Sequence, residues 1–269
     1  MSRGASRILS RMDPTIASPT VTPAQLASYA RDGYLVLPGL FDPVEAARLA
    51  AWTDEVSAWP EVPGRHMVYW EPHRHEPGRR VRSRIENFHP YHAGFRATFD
   101  EGPLAAVAAA LLEGPAVLFK DKINFKMPGG DGFEPHQDQQ AGWSTYAPLF
   151  LTALVSIDAA TRENGCLELA AGHHRRGLVG AEWKPLGEAE MAGMRFDACP
   201  TRPGDAVFFD SYVPHRSAPN ATAAPRRVLY VTFNRRADGD HRLRYYTDKR
   251  RSFPPDCERE PGREYVYRV

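Results

Sequence analysis

Ala116-Val-Leu-Phe-Lys-Asp-Lys-Ile-Asn-Phe-Lys126, closed by Pro128-Gly129-Gly130, is the stretch on which the fold turns. Branched and aromatic residues fill it and turn formers stop it, which predicts a strand. The same grammar recurs at 150–157, 165–170, 205–209 and 227–234, with Gly172, Pro203-Gly204 and Pro219-Asn220 as punctuation. Several short strands so spaced predict a barrel or sandwich. The chain reads differently upstream. Thr22 followed by Pro23 opens a helix that Gly33 stops, and Tyr34 to Leu37 forms a short strand. Asp42-Pro43 opens a second helix running to about Trp59, with Ala46, Leu49, Ala50 and Val56 at helical spacing. The Pro-, His- and Arg-rich segment 60–83 reads as loop, and alanine-rich 103–112 as a buried helix ended by Gly114. Helices first and strands afterwards predict an α+β chain, mainly β, with helices on one face of an antiparallel sheet. The charged tail 238–269 carries Tyr245, Tyr246, Phe253, Tyr265 and Tyr267, too aromatic for disorder, and is expected to pack over the surface.

The chain has 269 residues, of which 42% are hydrophobic and 25% charged, ordinary values for a globular protein with a core large enough to need no disulfide staples. We expect a flexible leader over residues 1–21 and a single domain over 22–269. Residues 1–20 lack an apolar run and so do not read as a secretory signal, although Arg3, Arg7 and Arg11 among serines faintly resemble a transit peptide. The 34 basic and 33 acidic residues leave a formal charge of +1, which argues against nucleic acid or an anionic membrane as partner. No 18-residue apolar run exists to span a bilayer. Cys166, Cys199 and Cys257 form no CxxC pair, which points to a reducing cytoplasm rather than a disulfide framework or a cysteine zinc site.

The chemistry is carried by Glu134-Pro-His-Gln-Asp-Gln-Gln140. In extended chain His136 and Asp138, two apart, point to the same side and can share an ion. His215, in Ser211-Tyr-Val-Pro-His-Arg-Ser217, is a third candidate. Two histidines and a carboxylate make the facial triad of non-haem iron(II) oxygenases, which leaves open positions for O₂ and a co-substrate. His-x-Asp alone also fits a turn histidine beside a capping aspartate. Arg226 changes the weighing: it opens the next apolar run eleven residues after His215, where a guanidinium can clamp a carboxylate bidentately.

With these residues in hand, the chain resembles the iron(II)/2-oxoglutarate dioxygenases of the phytanoyl-CoA dioxygenase-like family. Glu163-Asn-Gly-Cys-Leu-Glu168 with Ala171-Gly-His-His174 is similar to that family's ENGxLxxxPGSH signature, with Ala171 in place of the usual proline. Lys122-Ile-Asn-Phe-Lys126 and Pro203-Gly-Asp-Ala-Val-Phe-Phe209 also fit, and the likeness runs from about Ala24 to Asn234. The resemblance implies a double-stranded β-helix, or jelly roll. It implies Fe(II) on His136, Asp138 and His215, and 2-oxoglutarate with its far carboxylate on Arg226 and Ser217. Lys120 and Asn124 lie at a family position that touches the co-substrate. Lys120, Lys122, Asn124 and Lys126 share one face by parity, which leaves open which lysine enters the pocket. His174 is expected to be structural, and His66, His73, His75, His89, His92 and His241 to be solvated.

The implied activity is decarboxylation of 2-oxoglutarate coupled through O₂ to hydroxylation of a C–H bond. Asp138 excludes the family's halogenase variant, which has a small residue there. The loop after His-x-Asp faces the substrate in relatives, so Gln139, Gln140 and Trp143 are expected substrate contacts, with Tyr146 nearby. Glu86, beside Arg84 and Asn87, and Asn234, beside Arg235 and Arg236, are further candidates. Amides, an aromatic wall and nearby charge suit a small polar or zwitterionic metabolite, and the resemblance would allow an amino acid, an aminophosphonate such as 2-aminoethylphosphonate, or a sugar-like intermediate. The alternatives are desaturation or ring closure by the same chemistry, a cupin-like isomerase or hydrolase, and a non-catalytic binding protein. Arg226 opposes the isomerase, and the intact triad opposes the binding protein.

Overall fold

A computed structural model of the protein describes residues 21–266. The expected leader therefore lies, but for Val21, outside the described residues. The helices are α1 (Pro23–Asp32), α2 (Pro43–Ala58), α3 (Ala93–Asp100), α4 (Pro103–Leu111) and α5 (Arg242–Ser252). The strands are β1 (Tyr34–Leu37), β2 (Met67–Pro72), β3 (Arg80–Glu86), β4 (Ala116–Lys126), β5 (Phe133–His136) and β6 (Leu151–Ser156), followed by β7 (Leu167–Leu169), β8 (Asp197–Cys199), β9 (Ala206–Asp210), β10 (His215–Ser217) and β11 (Arg226–Arg235).

Local chemistry explains the helix bounds. The Thr22 hydroxyl accepts from the Gln25 N–H, the Gln25 side chain answers the Thr22 N–H, and Pro23 needs no donor at the first position. Gly33 stops α1 in the left-handed region at φ 81°. A Cβ there would lie 2.4 Å from His174 Nδ1, so His174 packs onto this glycine, as its structural reading expects. Asp42 caps α2 by accepting from Val44 and Glu45.

Among the described residues the strands form two antiparallel sheets, ordered β1-β9-β6-β11-β4-β3-β2 and β5-β10-β7-β8. The two sheets make the jelly-roll core. Alternation sorts the side chains of β6: Leu151, Ala153 and Val155 face outward to Val56, Phe95, Phe99, Leu104 and Val107 of the helical layer. Leu154 faces inward to Leu167, Leu169, Val213 and Val228 between the sheets. A third cluster gathers Tyr69, Phe119, Trp143, Phe150, Tyr245 and Tyr246 beneath α5.

Three expectations need correction. Segment 60–83 is not all loop: it holds β2 and opens β3, which widen the large sheet. The tail is not draped on the surface, because α5 buries Tyr245 and Tyr246. His66 and His92 are not solvated, being 1% and 7% exposed. His66 packs edge-on against Trp59, and His92 caps α3 by accepting from the Phe95 N–H. Among the described residues no helix is long and apolar enough to cross a membrane.

Candidate active site

β5 and β10 pair so that His136 and His215 stand directly opposite each other, with ring centroids 4.2 Å apart. Gln137 is extended (φ −110°, ψ 137°), so Asp138 emerges on the same side as His136. One ligand atom from each of His136, Asp138 and His215 lies within 4.8 Å of the others. Each imidazole is oriented from behind. His136 Nδ1 lies 2.6 Å from the Glu134 carbonyl and His215 Nδ1 lies 3.0 Å from the Val213 carbonyl. A proton on each Nδ1 turns the Nε2 lone pair inward, as a metal ligand requires. The Asp138 Oδ2 accepts from the Thr152 hydroxyl at 2.9 Å, leaving Oδ1 at 3.9 Å from His215 Nε2. Burial, aided by His215, pushes His136 down to about 3. Burial also lowers His215, and the two imidazoles hold Asp138 low against its own burial. Neutral imidazoles beside an ionised carboxylate are the forms that ligate a cation.

The cavity around these groups is lined by Lys120, Lys122 and Asn124 of β4, Thr152 of β6, Tyr230 and Thr232 of β11, and Trp143. Lys120 and Lys122 therefore both enter it. Lys126 instead reaches Ser217 Oγ at 2.7 Å and the Gly165 and Ala218 carbonyls, all neutral acceptors. Burial pushes Lys122 and Lys126 down to about 7, helped by Lys120 and Arg226 respectively. Arg226 pairs in register with Lys126, is 2% exposed, and has no partner for its buried Nε. Asn124 Oδ1 is likewise buried without a partner. Two neighbouring cations and the orphaned Arg226 Nε–H suit a carboxylate, so the donor set fits 2-oxoglutarate as well as iron. Thr152, Tyr230 and Thr232 were not among the expected residues. Tyr230 and Thr232 share strand parity with Arg226, a signal the sequence did contain.

Lys120 and Trp143 also line an outer vestibule of ≈ 700 Å³, with Tyr146, Trp183, Tyr245, Asp248, Lys249, Phe253 and Tyr265. That volume suits a small metabolite. Of the expected substrate contacts only Trp143 lines these cavities; Gln139, Gln140, Glu86 and Asn234 line neither. Gln140 Nε2 donates to the Ala181 and Lys184 carbonyls, and Gln139 Nε2 to Ser144 Oγ and the Ala147 carbonyl. Both amides hold loops. The Asn234 amide donates to the Arg235 and Gly239 carbonyls at the far end of β11. Glu86 is fully buried, ion-paired to Arg84 at 2.9 Å and Lys249 at 2.5 Å.

A jelly roll with two histidines and a carboxylate converging between its sheets defines the non-haem iron oxygenase class. Residues 29–228 match the family model of phytanoyl-CoA dioxygenase (PhyH). The chain is 41% identical over 235 residues to a methylphosphonate hydroxylase of Gimesia maris, covering 87% of this chain and 88% of that protein. It is 38% identical over 247 residues to a 2-aminoethylphosphonate dioxygenase from an uncultured bacterium (HF130_AEPn_1), covering 91% and 93%. The structure of EctD from S. alaskensis with 2-oxoglutarate and 5-hydroxyectoine shares the fold at a TM-score of 0.71 and 24% identity, over 85% of this chain and 80% of that one. The chain belongs to the phytanoyl-CoA dioxygenase family. It is an Fe(II)- and 2-oxoglutarate-dependent dioxygenase.

Proposed function

We propose that this chain hydroxylates a small organophosphonate, with His136, Asp138 and His215 as the iron ligands. The observation that carries the reading is the triad's convergence in a cavity floored by lysines, in a chain similar to two oxygenases of small phosphonates. Iron with 2-oxoglutarate, when bound, activates O₂ and supplies the oxidant that replaces a substrate hydrogen with hydroxyl. The protein's own residues hold and orient. Arg226 and Ser217 bind the far carboxylate of 2-oxoglutarate, with Lys126 keeping Ser217 in place. Asn124 offers its amide NH₂, and Lys122 its ammonium, to the end of 2-oxoglutarate nearer the triad. Trp143 walls the junction with the vestibule and keeps water from the reacting carbon. The chain works as a single domain over 22–269 in a reducing cytoplasm, which the three free cysteines support.

The test is Fe(II)-dependent succinate release with 2-aminoethylphosphonate, methylphosphonate, ectoine and amino acids as candidate substrates, and ³¹P NMR of the product. Phosphonates are expected to drive turnover, and His136→Ala to abolish it. Turnover with ectoine or an amino acid but no phosphonate would reject the substrate reading, and turnover surviving His136→Ala would reject the ligand assignment.

A further inference from the structure

Cations crowd around a single carboxylate where the iron cavity meets the vestibule. Burial would raise the Glu86 carboxyl, yet Lys120, Lys249 and Arg84 hold it well below the usual carboxylate range. Arg84 and Lys249 are ion-paired to it. The Lys120 ammonium lies 5.5 Å from the centroids of both Trp143 and Tyr245, and the Lys249 ammonium 5.8 Å from that of Tyr245. Two lysines, one from β4 and one from α5, thus flank the same aromatic ring. With all side chains ionised, these cations outnumber the Glu86 carboxylate, and Lys122 adds to the excess. Burying such an excess is costly unless an anion completes the site. Burial accordingly drives Lys249 well below its ordinary value.

We propose that Lys120 and Lys249 together form the seat of the substrate's doubly charged phosphonate group. Arg84 and Glu86 are positioning residues behind it. The inference rests on the phosphonate reading above and moves Lys120, expected at the co-substrate, to the substrate. Lys120 lines both cavities and Lys249 only the vestibule, so an anion held between them points its carbon substituent toward the triad. A dianion answers more of this excess than a carboxylate does, so the seat discriminates between acids of the same shape. Glu86 aims the Lys249 ammonium without touching substrate.

Two arms on the full-length Fe(II)-loaded enzyme test this. In the first, Lys120→Gln and Lys249→Gln are each expected to raise KM for the phosphonate at least about tenfold, equivalent to about 1.4 kcal/mol. Lys249→Arg should recover most of the loss, and 2-oxoglutarate affinity, measured on the same preparations, should not move and shows that the variants fold. In the second, inorganic phosphate, which shares the headgroup but has no C–H bond, is titrated calorimetrically into the 2-oxoglutarate complex without O₂. Its affinity should fall by a similar factor in both glutamine variants. Unchanged phosphonate KM and unchanged phosphate affinity in these variants overturn the seat. Lysine-dependent phosphate binding without turnover of any phosphonate leaves the seat standing and overturns the substrate reading instead.

Discussion

Thr152 shows how much of a metal site rests on side chains outside the ligand set. Its hydroxyl donates to Asp138 Oδ2 and lies 3.1 Å from the Thr232 hydroxyl, so a short chain of O–H groups fixes the carboxylate rotamer. Thr152→Val keeps the shape and removes the bond. Metal affinity should fall roughly 10–100-fold, the usual cost of losing such a partner, and an anaerobic Fe(II) titration reads it directly. Unchanged affinity would mean that packing alone orients Asp138. His66 carries a second residue-scale consequence. Burial, together with Arg65 and Arg82, pushes it down to about 4, and neither ring nitrogen has a partner. Its folded value lies below its unfolded value, so the unfolded chain binds the proton more readily and stability is lost as pH falls from about 6.5 to about 4. The loss attributable to this group is at most about 3 kcal/mol. His66→Phe should flatten that part of the pH dependence of the thermal midpoint; an equally steep profile in the variant would place the sensitivity elsewhere.

At the scale of elements, α5 is held to β4 by one polar knot. The Tyr246 hydroxyl accepts from the Asp121 N–H at 3.1 Å and donates to the Asp121 carbonyl at 2.8 Å, while Arg242 pairs with the Asp121 carboxylate at 2.5 Å. Tyr246→Phe leaves the buried Asp121 N–H without a partner and the Asp121 carbonyl with only the Asn87 N–H. Urea unfolding should show a loss of about 1–2 kcal/mol. Because α5 carries Lys249, KM for the oxidised substrate should rise while KM for 2-oxoglutarate holds. Both rising together would argue against a separate role for the helix.

What could be read beforehand follows the same scale. β4, β9 and β11, with α1, α2 and α4, announce themselves through long apolar runs or capping residues such as Thr22 and Asp42. β5, β8 and β10 are three or four residues long and owe their existence to their neighbours, so no local period marks them. The hairpin β2–β3 hides in a segment crowded with proline, arginine and histidine. α5 is mostly polar and charged, its buried residues are the adjacent Tyr245 and Tyr246, and adjacent apolar residues make no helical stripe. The convergence of His136, Asp138 and His215 was legible because metal-ligand chemistry constrains residue type and spacing together. The vestibule was not, since Lys249 approaches from 163 residues away from its Glu86 partner. Gln139 and Gln140 mislead because adjacency to a ligand says nothing about which way a side chain turns when backbone carbonyls compete for it.

For the molecule as a whole, the buried cations and the triad are arranged for ligands that neutralise them, so binding and stability are linked. Divalent metal at about 100 times its dissociation constant should add about 2.7 kcal/mol. At roughly 2–4 °C per kcal/mol for a chain of this size, the thermal midpoint rises by several degrees. A chelator should reverse the rise, and His136→Ala should remove it. A rise that persists in His136→Ala would locate the stabilising site away from the triad.

Much of the vestibule's wall comes from the far C-terminal helix and from Trp183 in the long connection between β7 and β8, with Lys120 and Trp143 at its junction with the inner cavity, while the proposed iron ligands sit on β5, β10 and the turn that follows β5. Evolution can therefore exchange the mouth and keep the furnace. Changes confined to residues 242–253 would redirect the enzyme to new molecules without touching the atoms that tame oxygen, which makes that helix the place to begin when re-engineering its selectivity.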